Sequence, residues 1–147
     1  MSTSQASTPE QRIAGECDRH GTRGLVDACV ALLEARPGDV SDRMITVLGG
    51  EPARHVLDGG EGGRTGYWPR VWAARGLLHV WDPAATPAII GATRDEAWRV
   101  REMAAKVIAG HHVGDALDAV AALRADKVAR VRAAASRAVT ALTAARA

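Results

Sequence analysis

The chain contains no phenylalanine, and aromatic residues make up only 3% of it: one tyrosine and four tryptophans. Aromatic rings are too few to make up most of a core. The interior has to be built from Ala, Leu, Val and Ile at close helix–helix contacts, and the abundance of Ala favours helices. Cysteine is almost absent. Cys17 and Cys29 are too few for a disulfide framework, so free buried thiols in a reducing compartment are expected. No run approaches 18 apolar residues, so no membrane span is expected. Residues 1–8 (MSTSQAST) lack the apolar segment of a secretory signal; they read as a frayed tail on a cytoplasmic protein. Net charge is only +2, too small to imply a nucleic-acid or membrane partner by itself. Lysine is scarce too: only Lys106 and Lys127 among 19 basic residues, the rest being Arg, a usage that suggests a GC-rich bacterial genome.

What is present is a ten-residue phrase written three times. PRVWAARGLL starts at residue 69, VREMAAKVIA at 100 and VRAAASRAVT at 131, a constant spacing of 31 without a gap. Arg70, Arg101 and Arg132 fall in register, as do Ala73, Ala104 and Ala135, then Arg75, Lys106 and Arg137. Outside the phrase, Asp95 matches Asp126, and Ala88-Ile89-Ile90 matches Ala119-Val120-Ala121. A fixed period of this length marks a stacked repeat protein. The pattern predicts an all-α solenoid of stacked antiparallel helix pairs, one domain over 9–147 with regular repeats over 67–147.

Local signals set the elements. Thr8-Pro9-Glu10 predicts a helix start, Thr8 as N-cap, with Gly21 closing that helix. Thr22 is expected to cap the next helix, whose Leu25, Cys29, Leu32 and Leu33 share one face, as far as about Arg36 before Pro37-Gly38. Asp39 or Ser41 should start a short helix ended by Gly49-Gly50, and Pro52 another reaching about Asp58. GGEGGRTG (59–66) reads as a flexible loop: it lacks the GK[ST] of a phosphate loop and no strand precedes it, though it is long enough to fold over a partner. Beyond it, helices are expected over about 68–80, 83–93, 96–109, 115–124 and 127–144, with Asp95 and Asp126 as N-caps. Residues 9–66 are the irregular part, fitted to cap the array.

Asp95 followed by Val100-Arg101 and Ala104, and Asp126 followed by Val131-Arg132 and Ala135, resemble the HEAT repeat family, in the short bacterial form related to the HEAT-like repeats of phycocyanobilin lyases. The first copy departs, with Pro69 in place of the Val and Arg64 where the Asp would stand. The resemblance implies a right-handed superhelix of about four units, the first two irregular. It also implies that Arg70, Arg101 and Arg132 bond an Asp or a carbonyl of an adjacent unit. Its functional implication is a non-catalytic scaffold for another protein, with no cofactor. Some HEAT-like proteins are DNA glycosylases; for that role this chain offers mainly Glu102 as a carboxylate.

Two clusters could bind a partner. Trp68 with Arg75, Arg99 with Lys106, and Arg130 with Arg137 are seven apart on the second helices and should stand in three parallel rows about 10 Å apart. Such a stripe would attract acidic chains, or DNA or RNA phosphates, with Trp68 as a stacking group. Against this, Glu102 lies at i+3 from Arg99 and i−4 from Lys106, and would partly neutralise an ordinary solvated face. The second cluster is aromatic: Tyr67, Trp68, Trp72, Trp81 and Trp98 lie within about one repeat. They either fill the junction with the irregular half or form a surface anchor. Register makes Trp72, matched with Met103 and Ala134, a core residue and Trp68, matched with Arg99 and Arg130, an exposed one. His79, His111 and His112 lack metal-ligand spacing, so no metal is expected. No Ser/His/Asp set or paired carboxylate marks an enzyme. A monomeric adaptor is the expectation, with polyanion binding as the alternative.

Overall fold

The computed structural model describes residues 6–144, and every regular element among them is helical. The tail expected over 1–8 lies outside the described residues up to residue 5, as does the domain's end over 145–147. Among the described residues nine α-helices follow one another: α1 (Pro9–His20), α2 (Arg23–Leu33), α3 (Asp42–Gly49), α4 (Pro52–Leu57), α5 (Trp68–His79), α6 (Thr86–Ala92), α7 (Trp98–Gly110), α8 (Leu117–Leu123) and α9 (Ala129–Ala144). Single 3-10 turns lead into α6 over Pro83–Ala85 and into α8 over Gly114–Ala116.

Helix starts follow their caps. The Thr8 hydroxyl accepts from the Gln11 N–H and the Gln11 side chain accepts from the Thr8 N–H, so two free donors are satisfied at once. Ser41, not Asp39, caps α3 by accepting from the Met44 N–H. Thr22 makes no side-chain cap bond, and α2 ends at Leu33, three residues before the expected stop, as the chain turns through a left-handed Ala35.

The three copies of the repeated phrase lie on α5, α7 and α9. α7 packs against both of the others. α2 packs on α5, α6 on α7 and α8 on α9, and α2 also touches α6. α1 and α3 close the other side of α5, with α4 against α3. Ala73, Ala104 and Ala135 are completely buried, as are Val100 and Val131. Small residues at the phrase centre let neighbouring backbones come close, the alternative core that a chain without Phe requires.

Asp95 and Asp126 are not N-caps. The helices begin at Trp98 and Ala129, and each carboxylate instead accepts from the N–H two residues on, Ala97 at 2.8 Å and Val128 at 2.9 Å. That Asx-type turn leaves the carboxylate facing the helix that carries the previous copy of the phrase, α5 for Asp95 and α7 for Asp126. There Arg70 grips Asp95 with two bonds of 2.7 and 3.2 Å, and Arg101 grips Asp126 with the same two lengths. Arg101 also donates to the carbonyls of Asp95 and Glu96. Arg132, the third in register, donates to the Asp126 carbonyl, six residues earlier in the chain. No carboxylate pairs with it among the described residues.

Candidate functional site

The first turns of α5 and α7 bring the aromatic residues and one cation together. Trp68, Arg99 and Arg130 occupy the same register position on α5, α7 and α9, and Tyr67 and Trp98 share the position before it. The Arg99 guanidinium lies 4.5 Å from the Trp98 ring centre, 5.6 Å from that of Trp68 and 6.0 Å from that of Tyr67. Arg130 covers Trp98 from the next helix at 5.1 Å. Tyr67 and Trp68 are in contact, with centroids 5.0 Å apart. An arginine over aromatic faces keeps its planar edge available for hydrogen bonds. Arg99 is exposed and forms no salt bridge among the described residues. An open cleft of about 490 Å³ lies in front of it, with Glu61, Tyr67, Glu96 and Trp98 on its walls.

Trp72 is in the core, at 4% exposure. Trp68, expected to be exposed, is half-buried: it stacks on Trp72 with centroids 6.3 Å apart, and its Nε1 donates to the Glu61 carboxylate. Trp81 stacks on His111 at 4.8 Å. His111 contacts the Leu77 carbonyl through Nε2 at 2.6 Å, so it joins α7 to α5. His79 and His112 are exposed. No group of three metal-ligating side chains occurs among the described residues, and no described helix is long and apolar enough to cross a membrane.

The cationic stripe is less open than the register suggests. Glu102, expected at the surface, is buried at 7% exposure. Its oxygens accept from Arg130 at 2.9 and 3.2 Å, and Lys106 stands 3.9 Å away. Local helix spacing pointed to Arg99 and Lys106 as its partners; stacking puts Arg130 of the next helix over it. With both oxygens held by Arg130, a general-base role for Glu102 would first need that pair to open. Arg75 turns inward as well: it is half-buried and its Nη2 donates to the Leu48 carbonyl at 2.8 Å. Burial, helped by the nearby charge of Arg12, lowers its guanidinium pKa. Arg99 and Arg137 remain as exposed cations of the stripe without a carboxylate partner among the described residues.

The GGEGGRTG loop is folded onto its own chain rather than loose. Glu61, Gly62 and Gly63 take left-handed backbone angles. Arg64 donates to the carbonyls of Pro37 at 3.0 Å and Val40 at 2.7 Å, and pairs with Asp42. Where the later copies of the phrase are preceded by an Asp that receives an Arg, the first is preceded by Arg64, which reaches back. Sequence reasoning placed Trp98 in the aromatic cluster but left Glu61 out of the site. The register held a signal for Trp98, since 67 and 98 are both aromatic; Glu61 had none, because only the loop's fold brings it to Trp68.

No protein-family model matches the chain, and neither a curated protein nor a solved structure does.

Proposed function

We propose that this protein is a non-catalytic scaffold of the HEAT-like kind, a right-handed α-solenoid of about four units with the first two irregular, that binds another protein. The pairings α2 with α5, α6 with α7 and α8 with α9 support the repeat reading, with α1, α3 and α4 as the cap at one end. One observation carries the binding reading: Tyr67, Trp68 and Trp98 each keep part of their surface open beside an exposed Arg99 that no carboxylate pairs with among the described residues. Trp, Tyr and Arg are the residues that dominate binding energy at protein interfaces, because they offer large rigid area together with hydrogen bonds. As proposed, the protein works as a monomer in a bacterial cytoplasm and uses no cofactor.

Polyanion binding is the rival reading. It draws on Arg99, Arg137 and Lys106, but Arg75 faces inward and Arg130 is held by Glu102, so the field is weaker than five free cations would give. Affinity capture from nuclease-treated and untreated extract of the native host separates the two. The wild type should retain a specific protein in both extracts, and a Trp98→Ala, Arg99→Glu double variant should lose it. Recovery of nucleic acid in place of a protein would refute the scaffold reading in favour of its rival.

A further inference from the structure

A second cleft, of about 370 Å³, lies between α5 and the α3–α4 corner and shares Glu61 with the first. That size is within the range of small-molecule sites, about 300–1,000 Å³. Its apolar walls are Pro52, Val56, Trp68 and Trp72, and Arg75 closes one end. Trp68, Trp72 and Arg75 stand at i, i+4 and i+7 of α5, so they line one face. Glu61 marks the Trp68 end, where its carboxylate accepts from the indole. Arg75 is seven residues further along, about 10 Å at the helical rise. The cleft therefore has a negative end, an aromatic middle and a positive end.

Arg75 is poorly satisfied where it stands. One nitrogen, Nη2, donates to the Leu48 carbonyl, while Nε is buried with no partner. No carboxylate forms a salt bridge with it among the described residues. The cation beside it is Arg12, which shares the same helix end: its Nε donates to the Val47 carbonyl at 2.9 Å and its Nη2 reaches the Leu48 carbonyl at 3.5 Å. Two guanidinium groups thus converge at the end of α3 without an anion. A half-buried cation lacking a counter-charge is costly, and an anion brought from solution removes that cost. Guanidinium matches a carboxylate through paired, nearly parallel hydrogen bonds. The flat walls favour a flat apolar body, and the Glu61 charge at the far end disfavours ligands with a second negative group.

We infer that this cleft is a binding site for a small aryl carboxylate, its carboxylate on Arg75 and its ring against Trp68 and Trp72. Titration of the full chain with 2-naphthoate and, separately, with uncharged 2-naphthamide tests it, followed by calorimetry and by the indole N–H resonances of the four tryptophans. Naphthoate should bind at least about tenfold more tightly than the amide. It should shift the Trp68 and Trp72 signals and leave that of Trp81 in place. Arg75→Gln should bring naphthoate down to the affinity of the amide, whereas Arg124→Gln, an exposed cation at the end of α8 and outside the cleft, should leave it unchanged. If Arg75→Gln does not fold, the comparison of the two probes on the wild type decides alone. Equal affinity for both probes, no binding of naphthoate at millimolar concentration, or shifts confined to Trp98 would each overturn the assignment.

Discussion

Ala104 and Ala135 have no exposed surface, and each sits at the middle of a helix that packs on its neighbour in the stack. Leucine at either position adds three carbons to a full interior. Overpacking of this kind costs about 1–3 kcal/mol, several degrees in melting temperature for a chain this size. Thermal unfolding followed by circular dichroism checks it, and unchanged curves for both variants would mean that these helix faces are not in close contact. The paired carboxylates set the response to acid. Burial by itself would raise the Asp126 pKa, but the Arg101 hydrogen bond, the Val128 N–H and the charges of Arg101 and Lys127 together hold it below its ordinary value. Glu16, only 1% exposed, is likewise lowered, first by its hydrogen bond from Arg43 and against the effect of its burial. A depressed carboxyl contributes stability that is complete above its unfolded-state pKa, about 4, and is lost as pH falls through the lower folded-state value. The melting temperature should therefore fall as pH drops below about 4. Arg101→Gln should be less stable at pH 7 and lose less below pH 4, because its Asp126 is no longer depressed. Parallel melting-temperature curves for the two proteins would show that Arg101 does not hold that carboxyl down.

At the scale of the helices, two glycines show how differently the same substitution can act. A Cβ on Gly49, at the end of α3, would lie 2.4 Å from the Trp72 ring, so the indole packs on bare backbone there. A Cβ on Gly15, inside α1, meets only the flexible Arg19 guanidinium at 3.4 Å. Gly15→Ala should raise stability by about 0.5–1 kcal/mol through helix propensity. Gly49→Ala should lower it by about 1–3 kcal/mol or more by forcing α3 away from α5. Denaturant midpoints of both variants measure the contrast, and it fails if Gly49→Ala is as stable as the wild type. Most helix limits were legible in the sequence, because they depend on local chemistry: the Thr8-Pro9 start, the Ser41 cap, the Gly21 and Gly50 stops. Partner choice was not. That α2 packs on α5, across all of residues 34–67, is not written in any local period. The same blindness misplaced Asp95 and Asp126: a lone Asp before a helix reads as a cap until an Arg of another helix claims it. At the candidate site, the repeat register brought Trp68, Arg99 and Arg130 to one edge. It missed the burial of Glu102 and the inward turn of Arg75, since both depend on neighbours supplied by stacking.

For the molecule as a whole, the repeated phrase makes each helix depend on the next. Arg70 ties α5 to the turn before α7, and Arg101 ties α7 to the turn before α9. Both pairs are largely buried, with Arg101 and Asp126 side chains at 10% and 8% exposure. Removing one partner of such a pair leaves the other charge uncompensated and costs about 3–5 kcal/mol. In a stacked array of the kind proposed, stability is close to a sum of unit and interface terms, so a weakened interface uncouples the last helices from the rest. The tryptophans are placed to detect this. All four lie between residues 68 and 98, while α8 and α9 contain no aromatic residue. Fluorescence therefore reads the middle of the molecule, and circular dichroism reads every helix. In urea the wild type should give superimposed transitions by the two probes, as one cooperative unit does. In Arg101→Gln the α8–α9 pair should unfold first, moving the dichroism transition to lower urea than the fluorescence transition. Arg132→Gln is the control: Arg132 is exposed and bonds only the Asp126 carbonyl, so the two transitions should stay together. Coincident transitions in Arg101→Gln would locate the coupling in the apolar contacts of Val100 and Ala104 with Val131 and Ala135, and would reduce the repeated Arg–Asp pairs to a device of register rather than of cooperativity.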